Sequence, residues 1–510
     1  MSGTWLYRYE VKGIQKFILA TNKLKEIRGA SSLIEDIGSL FSNALAGCGL
    51  DDTMFKTLEP PAAGGATIEV GSEHLEKLEE FMAAWPMIVH LHAPGIQVVQ
   101  AKVEKQKDSV SLYRKLASER SRQSVELPEA GPLVMRAPRT GLPASELGDE
   151  PVDKGTVKVA LDPGSKRKRD VKEQDLLGER IGQEYRWLEN LEELSHSYVG
   201  VVHADANDLG MHKIELAKEQ GIEALRDFSE KVGDATIEAV RQAVKDVLEA
   251  KQRKDGKLPA RPIVVGGDDV TFIIRADLAF DFAVKYLKAF REQSRDRGLD
   301  LEAAAGVALV HKSHPFHMAY ALSEELCSFS KKTLRGRLNG RTPSSISFLR
   351  LTTSLSGSYE DEIRNIWLRT SEDVIGGETD REAAKLLTMC PYTLDEVDGF
   401  ITISRLESLA KLVSKEEGGE DDKVLPAGVI RDIVGLLQAD PKRAKKRWQR
   451  FGQVAKDKYG DAWKSCATWF KEAGGEPGNG PWVPFKLKDE NAITATPWLD
   501  VLTLVHVDED

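Results

Sequence analysis

Three acidic side chains carry the chemistry that this sequence offers. Asp205 follows the apolar run YVGVVHA (198–204), and Asp268 and Asp269 sit in the segment VVGGDDV (264–270). Carboxylates brought close together repel one another, and burial raises their pKa values. Divalent cations relieve that repulsion, and Mg²⁺ favours one or two carboxylates together with phosphate oxygens. Two such ions can align an attacking hydroxyl and stabilise a leaving pyrophosphate. The rest of such a reaction is positioning and charge neutralisation. Gly266 and Gly267 permit unusual backbone angles and a close approach of a nucleotide to the main chain. Asn207 and Asp208, next to the first acid, read as part of the same nucleotide cradle. Lys331 and Lys332 close a helix and read either as point charges for a triphosphate or as cations favoured at a helix C-terminus. A Gly-Asp turn alone is ordinary hairpin chemistry. The HADAND strand end, the GGDD turn and a basic helix end together are more specific.

The elements around these residues repeat an order. Tyr198–Ala204 reads as a buried strand, and a helix follows with Ile237, Val240, Val244, Val247 and Leu248 on one face. Ile263–Val265 and Val270–Ile274 read as a hairpin, and Asp277 as the cap of a helix carrying Phe280, Val284, Leu287 and Phe290. A strand at Ala303–Val310 and a helix from Pro315 to Lys332 complete the unit. The same order is expected near the N-terminus. It runs through a strand at Trp5–Val11, a helix opening at Gly13 and stopping at Arg28-Gly29, and the PPAAGG turn (60–65). A strand at Ala66–Val70, a helix at His74–Met82 and a strand at Ile88–Leu91 follow. Strand, helix, hairpin, helix, strand is a ferredoxin-like order. The first strand and the hairpin are neighbours in such a sheet, so Asp205 is expected within a few ångströms of the GGDD turn. The fold class is therefore α+β, with two ferredoxin-like units and a helical C-terminal domain. The expected divisions are 1–125, a linker or insertion at 126–195, a second unit at 196–356, and 357–510. Residues 128–175, including KRKRDVK (166–172), read as loop, and WLDVLTLVHV (498–507) as a strand-like tail.

The chain of 510 residues has a formal net charge of −10, so any grip on nucleic acid is local or mediated by a partner. Cys48, Cys327, Cys390 and Cys466 are scattered without a CxxC pair, which argues against a disulfide framework and a cysteine zinc site. A reducing cytoplasm is the simple reading. No apolar run approaches the ~20 residues of a membrane span, and the N-terminus does not read as a signal peptide. His311, His314 and His317 have a metal-like spacing, but Pro315 starts a helix inside the run, so they read as loop and helix-entry residues. KRAKKRWQR (442–450) reads either as a phosphate- and base-contacting helix built around Trp448 or as a solvated basic face.

Four segments together resemble the large polymerase/cyclase subunit of type III CRISPR effector complexes. They are YEVKGIQKFILATNKLKEIRGASSLI (9–34), VVHADANDLG (201–210), VVGGDDVTFII (264–274) and GVALVHKSHPFHMAYALSEELCSFSKK (306–332). The resemblance spans roughly residues 5–350 and implies two palm domains of the GGDEF/polymerase type. It further implies synthesis of cyclic oligoadenylate or a related adenylate from ATP, with Mg²⁺ or Mn²⁺. Asp205, Asp268 and Asp269 would hold the metals, Gly266 and Gly267 would shape the nucleotide turn, and Lys332 would bind phosphate. Gly13, Gln15, Arg28, Gly29 and Ser31 would bind an acceptor ATP in the first palm. Guide RNA, target RNA and other effector subunits are the implied partners. The first palm's hairpin reads GGAT (64–67) without carboxylates, so it is expected to bind and not to catalyse. The first palm starts almost at residue 1, so no HD nuclease domain and no DNase activity are expected. The zinc-binding cysteines often found between the palms are missing, so no zinc is expected. Two other readings stand beside this one: a non-catalytic scaffold holding guide RNA, and a diguanylate-type cyclase sharing the palm.

Overall fold

The computed structural model describes residues 3–21, 23–62, 64–105, 115, 118, 131, 133–152, 155–171, 176–188, 194, 197–220, 224–352, 368–369, 385–414, 424–485 and 493–505. The first unit runs β1 (Thr4–Lys12), α1 (Ile14–Ile18), α2 (Leu24–Glu35), α3 (Ile37–Gly47), β2 (Phe55–Ala62), β3 (Gly65–Gly71), α4 (Leu75–His92) and β4 (Gln97–Glu104). Its sheet has the order β2-β3-β1-β4, the ferredoxin-like order. Alternation along β1 divides its side chains between two faces. Tyr7 and Tyr9 pack on Phe41 of α3 and on Phe81 and Trp85 of α4, with the Tyr9 ring 4.7 Å from Phe41 and 5.1 Å from Trp85. Leu6, on the opposite face, joins Leu58, Val99 and Ala101 against Leu225 and Leu216 of the second unit.

Two sequence expectations fail here. The helix that opens after Gly13 is two helices, and the second continues through Arg28-Gly29 to Glu35. Ile88–Leu91 is not a strand. Leu78, Phe81, Trp85 and Val89 are all buried on α4. That spacing of three and four residues carries the helix through Pro86 to His92, and the strand follows at β4.

The segment read as loop is also partly ordered. It forms a hairpin, β5 (Glu146–Val152) and β6 (Gly155–Leu161), then α5 (Pro163–Asp170) and α6 (Leu176–Ile181). Asp162 caps α5 by accepting from the Ser165 amide at 3.0 Å. Three of the four basic residues of KRKR therefore lie in the last turn of a helix, Arg167, Lys168 and Arg169, where its dipole favours them. Arg169 and Arg139 bridge Glu26 of α2 and Glu150 of β5.

The second unit follows β7 (Arg186–Trp187). It comprises β8 (Tyr198–Ala206), α7 (Leu209–Gln220), α8 (Ala224–Ala243), β9 (Lys257–Leu258), β10 (Ala260–Gly266), β11 (Asp269–Arg275), α9 (Ala276–Asp296), β12 (Ala303–His311), α10 (Phe316–Leu334) and β13 (Ser345–Arg350). The sheet order is β10-β11-β8-β12-β13, extended by Tyr392–Thr393. Its first four strands repeat the order of the first unit. Asp277 does not cap α9. Arg275 is the N-cap, and Asp277 pairs with it from the first turn.

Beyond the second unit, helices at Ile403–Ala410, Ala427–Ala439, Pro441–Lys458, Gly460–Glu472 and Trp498–Val505 surround one aromatic core. Trp498, Val501, Leu502 and Val505 are buried, so the apolar tail is a helix and not a strand; residues 506–507 of that expectation lie outside the described residues. Trp448 is wholly buried, 5.3 Å from Trp463 and 5.7 Å from Trp498, and its indole nitrogen donates to the Pro477 carbonyl at 2.7 Å. It is a core anchor and not a base-stacking residue, while Lys445 and Lys446 face solvent. No helix among the described residues is long and apolar enough to cross a membrane.

Truncating Trp448 to Ala should cost about 3–5 kcal/mol. Lys445→Glu and Lys446→Glu should each stay within about 0.5 kcal/mol of the parent. Urea unfolding followed by tryptophan fluorescence reads both.

Candidate active site

Antiparallel pairing brings the acids together. Val270 of β11 lies opposite Ala204 of β8, so one rung further Asp269 faces Asp205. Gly266 pairs with Asp269 to close the β10–β11 hairpin, leaving Gly267 and Asp268 as its tip. Gly267 has φ +59°, a left-handed angle that suits glycine. The Thr236 hydroxyl on α8 donates to its carbonyl at 2.7 Å. Gly267 is exposed, and the acids on either side of the strand gap are half-buried, so the turn is open to solvent.

The electrostatics follow from that crowding. Asp268 is pushed up to about 7, first by burial, then by the charge of Asp205 and by a side-chain hydrogen bond with it. Asp269 is pushed up to about 7 by burial, then by Asp205 and Asp268. Lys331 on α10 forms an ion pair with Asp205 and also donates to the Ala206 carbonyl at 2.8 Å. Lys332, about 100° further round the helix, is exposed. Of the two lysines, Lys331 is the one that meets the acids; Lys332, to which the resemblance gave a phosphate, does not pair with them.

Asn207 and Asp208 have other tasks. The Asn207 amide donates to the Thr342 and Pro343 carbonyls, both at 3.1 Å, and Asp208 accepts from the Thr342 amide at 3.0 Å. They fasten the loop before β13 to the end of β8 and so fix the backbone that carries Asp205. Three of their polar contacts go to that loop, while the Asn207 side-chain oxygen is buried without a hydrogen-bond partner.

Sequence reasoning missed two cations. Lys213 on α7 is mostly buried, and burial pushes its pKa down while Asp268 opposes the shift and Arg8 adds to it. It is therefore within electrostatic reach of both the GGDD turn and the first unit. Arg8 of β1 pairs with Glu10 and Glu59 and donates to the Thr67 hydroxyl at 2.7 Å. The signal for Lys213 was its place eight residues after Asp205, on the next helix; for Arg8 it was a charge alternating with the buried tyrosines of β1.

A cavity of about 740 Å³ opens beside this site. Gly13, Gln15 and Lys16 wall it from the first unit, Arg139 and Lys168 from the α5 region, and His317, Tyr320 and Glu324 from α10. Glu324 is held above its usual range by burial and then by Asp205, which ties the cavity to the acids. Of the residues that the resemblance assigned to an acceptor ATP, Gly13 and Gln15 line this cavity and Arg28, Gly29 and Ser31 are not among its lining residues. Gly29 sits where a β-carbon would come within 1.9 Å of the Lys168 carbonyl, so it serves the packing of α2 on α5. Ser31 is buried and donates to the Ile263 carbonyl at 2.7 Å. Arg28 is half-buried on α2. A second hollow of about 640 Å³, walled by Glu179, Tyr185 and Arg241, contains none of the acids or their cations.

Among the described residues, no three His, Cys, Asp or Glu side chains already enclose a cation site. Of the three histidines with metal-like spacing, His311 bonds to Ser313 at 2.7 Å and His317 faces the cavity. In the acid trio, Lys331 holds Asp205, and Asp205 shares a hydrogen bond with Asp268. The donor set nevertheless fits a hard divalent ion. It is all carboxylate oxygen, and its crowded negative charge, answered here by Lys331, is what a divalent cation would neutralise.

The raised carboxyls give a signed expectation. A carboxyl whose folded pKa is raised favours the folded state at low pH and loses that contribution as pH rises through the folded value, here between about 4 and 7. Without divalent metal, thermal stability should fall across that window. Mn²⁺ should raise Tm at pH 8 much more than at pH 5, and Asp268→Asn with Asp269→Asn should raise metal-free Tm at pH 8. Differential scanning fluorimetry checks all three.

Comparison with known proteins agrees with this geometry. The family model described as Cas10/Cmr2, second palm domain, matches residues 198–339. No curated protein matches the chain. Among solved structures, Csm1 in T. onnurineus superposes with a TM-score of 0.55 and 14% identity over 99% of this chain and 70% of that one. A Csm1-Csm4 cassette in complex with pppApApA gives 0.54 and 13% over 99% and 69%. A Csm1-Csm4 cassette in complex with cA4 gives 0.51 and 13% over 89% of this chain, which spans only 64% of that chain's length. The chain is therefore Cas10-like: residues 198–339 are a second palm domain of the Cas10/Cmr2 kind, set in a fold shared with Csm1.

Proposed function

We propose that the chain is a metal-dependent nucleotidyltransferase that joins ATP into cyclic oligoadenylate or a related adenylate messenger, as a subunit of a type III CRISPR effector. The observation that carries the proposal is the convergence of Asp205 with the exposed GGDD turn on neighbouring strands, beside a cavity between the two palms. The relatives add chemical context, since Csm1-Csm4 cassettes have been solved in complex with AMPPNP and with pppApA. A Csm4-like subunit is the partner this suggests.

In this reading Asp205, Asp268 and Asp269 hold Mg²⁺ or Mn²⁺. The ions, when bound, neutralise phosphate charge and activate the attacking hydroxyl. Gly267 leaves the turn open, so a triphosphate can approach the main chain. Lys331, which pairs with Asp205, would offer its ammonium group to phosphate oxygens were a cation to satisfy that carboxylate. Lys213 supplies a second positive charge within electrostatic reach of Asp268. Gly13 and Gln15 face the acceptor nucleotide from the first palm. The reaction joins a ribose hydroxyl of that nucleotide to the α-phosphorus of the other and releases pyrophosphate.

The test is incubation with ATP and Mn²⁺, with and without guide RNA, target RNA and partner subunits, followed by mass spectrometry and a pyrophosphate assay. Adenylate oligomers with stoichiometric pyrophosphate are expected, and Asp268→Asn with Asp269→Asn should remove both. Turnover of GTP in preference to ATP would point to a diguanylate-type cyclase, and no turnover under any condition to a scaffold.

A further inference from the structure

We infer that helix α2 of the first palm sets the position of the GGDD turn through the outer edge of β10, with Ser31 and Arg180 as positioning residues. This rests on the reading that the turn carries the metal ligands. β10 is the edge strand of its sheet, and the outward carbonyls of an edge strand have no partner within the sheet. Two of them are taken by side chains from outside the second palm. The Ser31 hydroxyl donates to the Ile263 carbonyl at 2.7 Å, and Arg180 on α6 donates to the Val265 carbonyl at 3.4 Å. Val265 immediately precedes Gly266, the first residue of the turn.

The two contacts share one support. Arg180 also donates to Glu35 at 3.0 Å, and Ser31 and Glu35 lie four residues apart on one face of α2. The ladder between β10 and β11 shifts register between Pro262 and Val264, so Ile263 is the residue that pairing leaves out. A strand interrupted three residues before its turn is held less firmly by its own sheet. Ser31 acts at that gap. On the far side Thr236 holds the Gly267 carbonyl, and Arg241 steadies α6 by donating to the Arg180 and Ile181 carbonyls at 2.9 and 2.8 Å.

The same helix adjoins the cavity wall without lining it. Phe17 of α1 and Leu19 and Ala20 of the loop before α2 contribute to that wall. Gly29, midway along α2, lies against Lys168, which lines the cavity and donates to the Phe17 carbonyl. α2 thus backs the cavity wall through Lys168 and is tied, through Glu35 and Arg180, to the backbone one residue ahead of the turn. Ser31 and Arg180 touch no substrate in this account; they act through Ile263, Val265 and the turn.

The test compares Ser31→Ala, Arg180→Gln and Arg180→Lys in the full chain. Mn²⁺ affinity is read by electron paramagnetic resonance, kcat and KM by pyrophosphate release from ATP, and folding by Tm. Misplacing the turn should weaken Mn²⁺ binding several-fold and lower kcat on the order of tenfold in Ser31→Ala and Arg180→Gln, with KM for ATP within about twofold. Arg180→Lys, which keeps the charge beside Glu35, should recover much of both. Mn²⁺ affinity within about twofold of the parent in both Ser31→Ala and Arg180→Gln overturns the inference. So does a loss in Arg180→Gln that Arg180→Lys does not reduce. If Ser31→Ala alone unfolds, the half-exposed Arg180 pair decides. If the parent binds Mn²⁺ but never releases pyrophosphate, the enzymatic reading fails while the Mn²⁺ titration still decides this one.

Discussion

Mutual repulsion among Asp205, Asp268 and Asp269 is the constraint around which the second palm is arranged. Two of the acids are held up to about 7, so the fold spends stability to keep them side by side. Such an arrangement persists only when the surrounding structure over-determines it. The over-determination is visible. Asn207 and Asp208 lash the end of β8 to the loop before β13, Thr236 and Arg180 hold the turn from two sides, and Lys331 answers Asp205. Each of these polar side chains near the acids has a backbone or counter-charge to hold, while Gly267 at the tip of the turn stays exposed.

The first palm enters the same arrangement as a structural partner. Its sheet is buried on both faces, by its own α3 and α4 on one side and by Leu216 and Leu225 of the second palm on the other. Two units of the same topology thus share an apolar contact at the back of the first sheet. The cavity is walled by the first palm, the α5 region and α10 together, so none of the three forms it alone.

Much of this could be read in the sequence where local pattern and tertiary outcome agree. The apolar run ending in Asp205, the GGDD turn and the helix after Pro315 all lie where period and turn chemistry put them. The failures have specific causes. Ile88–Leu91 is apolar enough for a strand, but only the contacts of Trp85 and Val89 decide that α4 continues. Trp448 sits among six basic residues, and of its four aromatic partners only Phe451 is local; nothing nearby reveals Trp463, Phe470 and Trp498. Ser31 and Gly29 were placed in a ligand site because they share a motif with Gly13. In space the motif turns a corner at α2, and its later residues face other helices. Lys213 and Arg8 escaped because their significance lies in a meeting between units, which no periodicity records.

The rung Glu10–Gly65 in the first sheet occupies the place of Asp205–Asp269 in the second, one residue beyond the hairpin tip in each. There the acid is Glu10, and the arginine two residues before it is its counter-ion. The first half balances its acid with Arg8 on the same strand, and the second balances Asp205 with Lys331 from a separate helix. A duplicated fold of this kind ties the charge of one copy to its own strand and that of the other to the position of a neighbouring element.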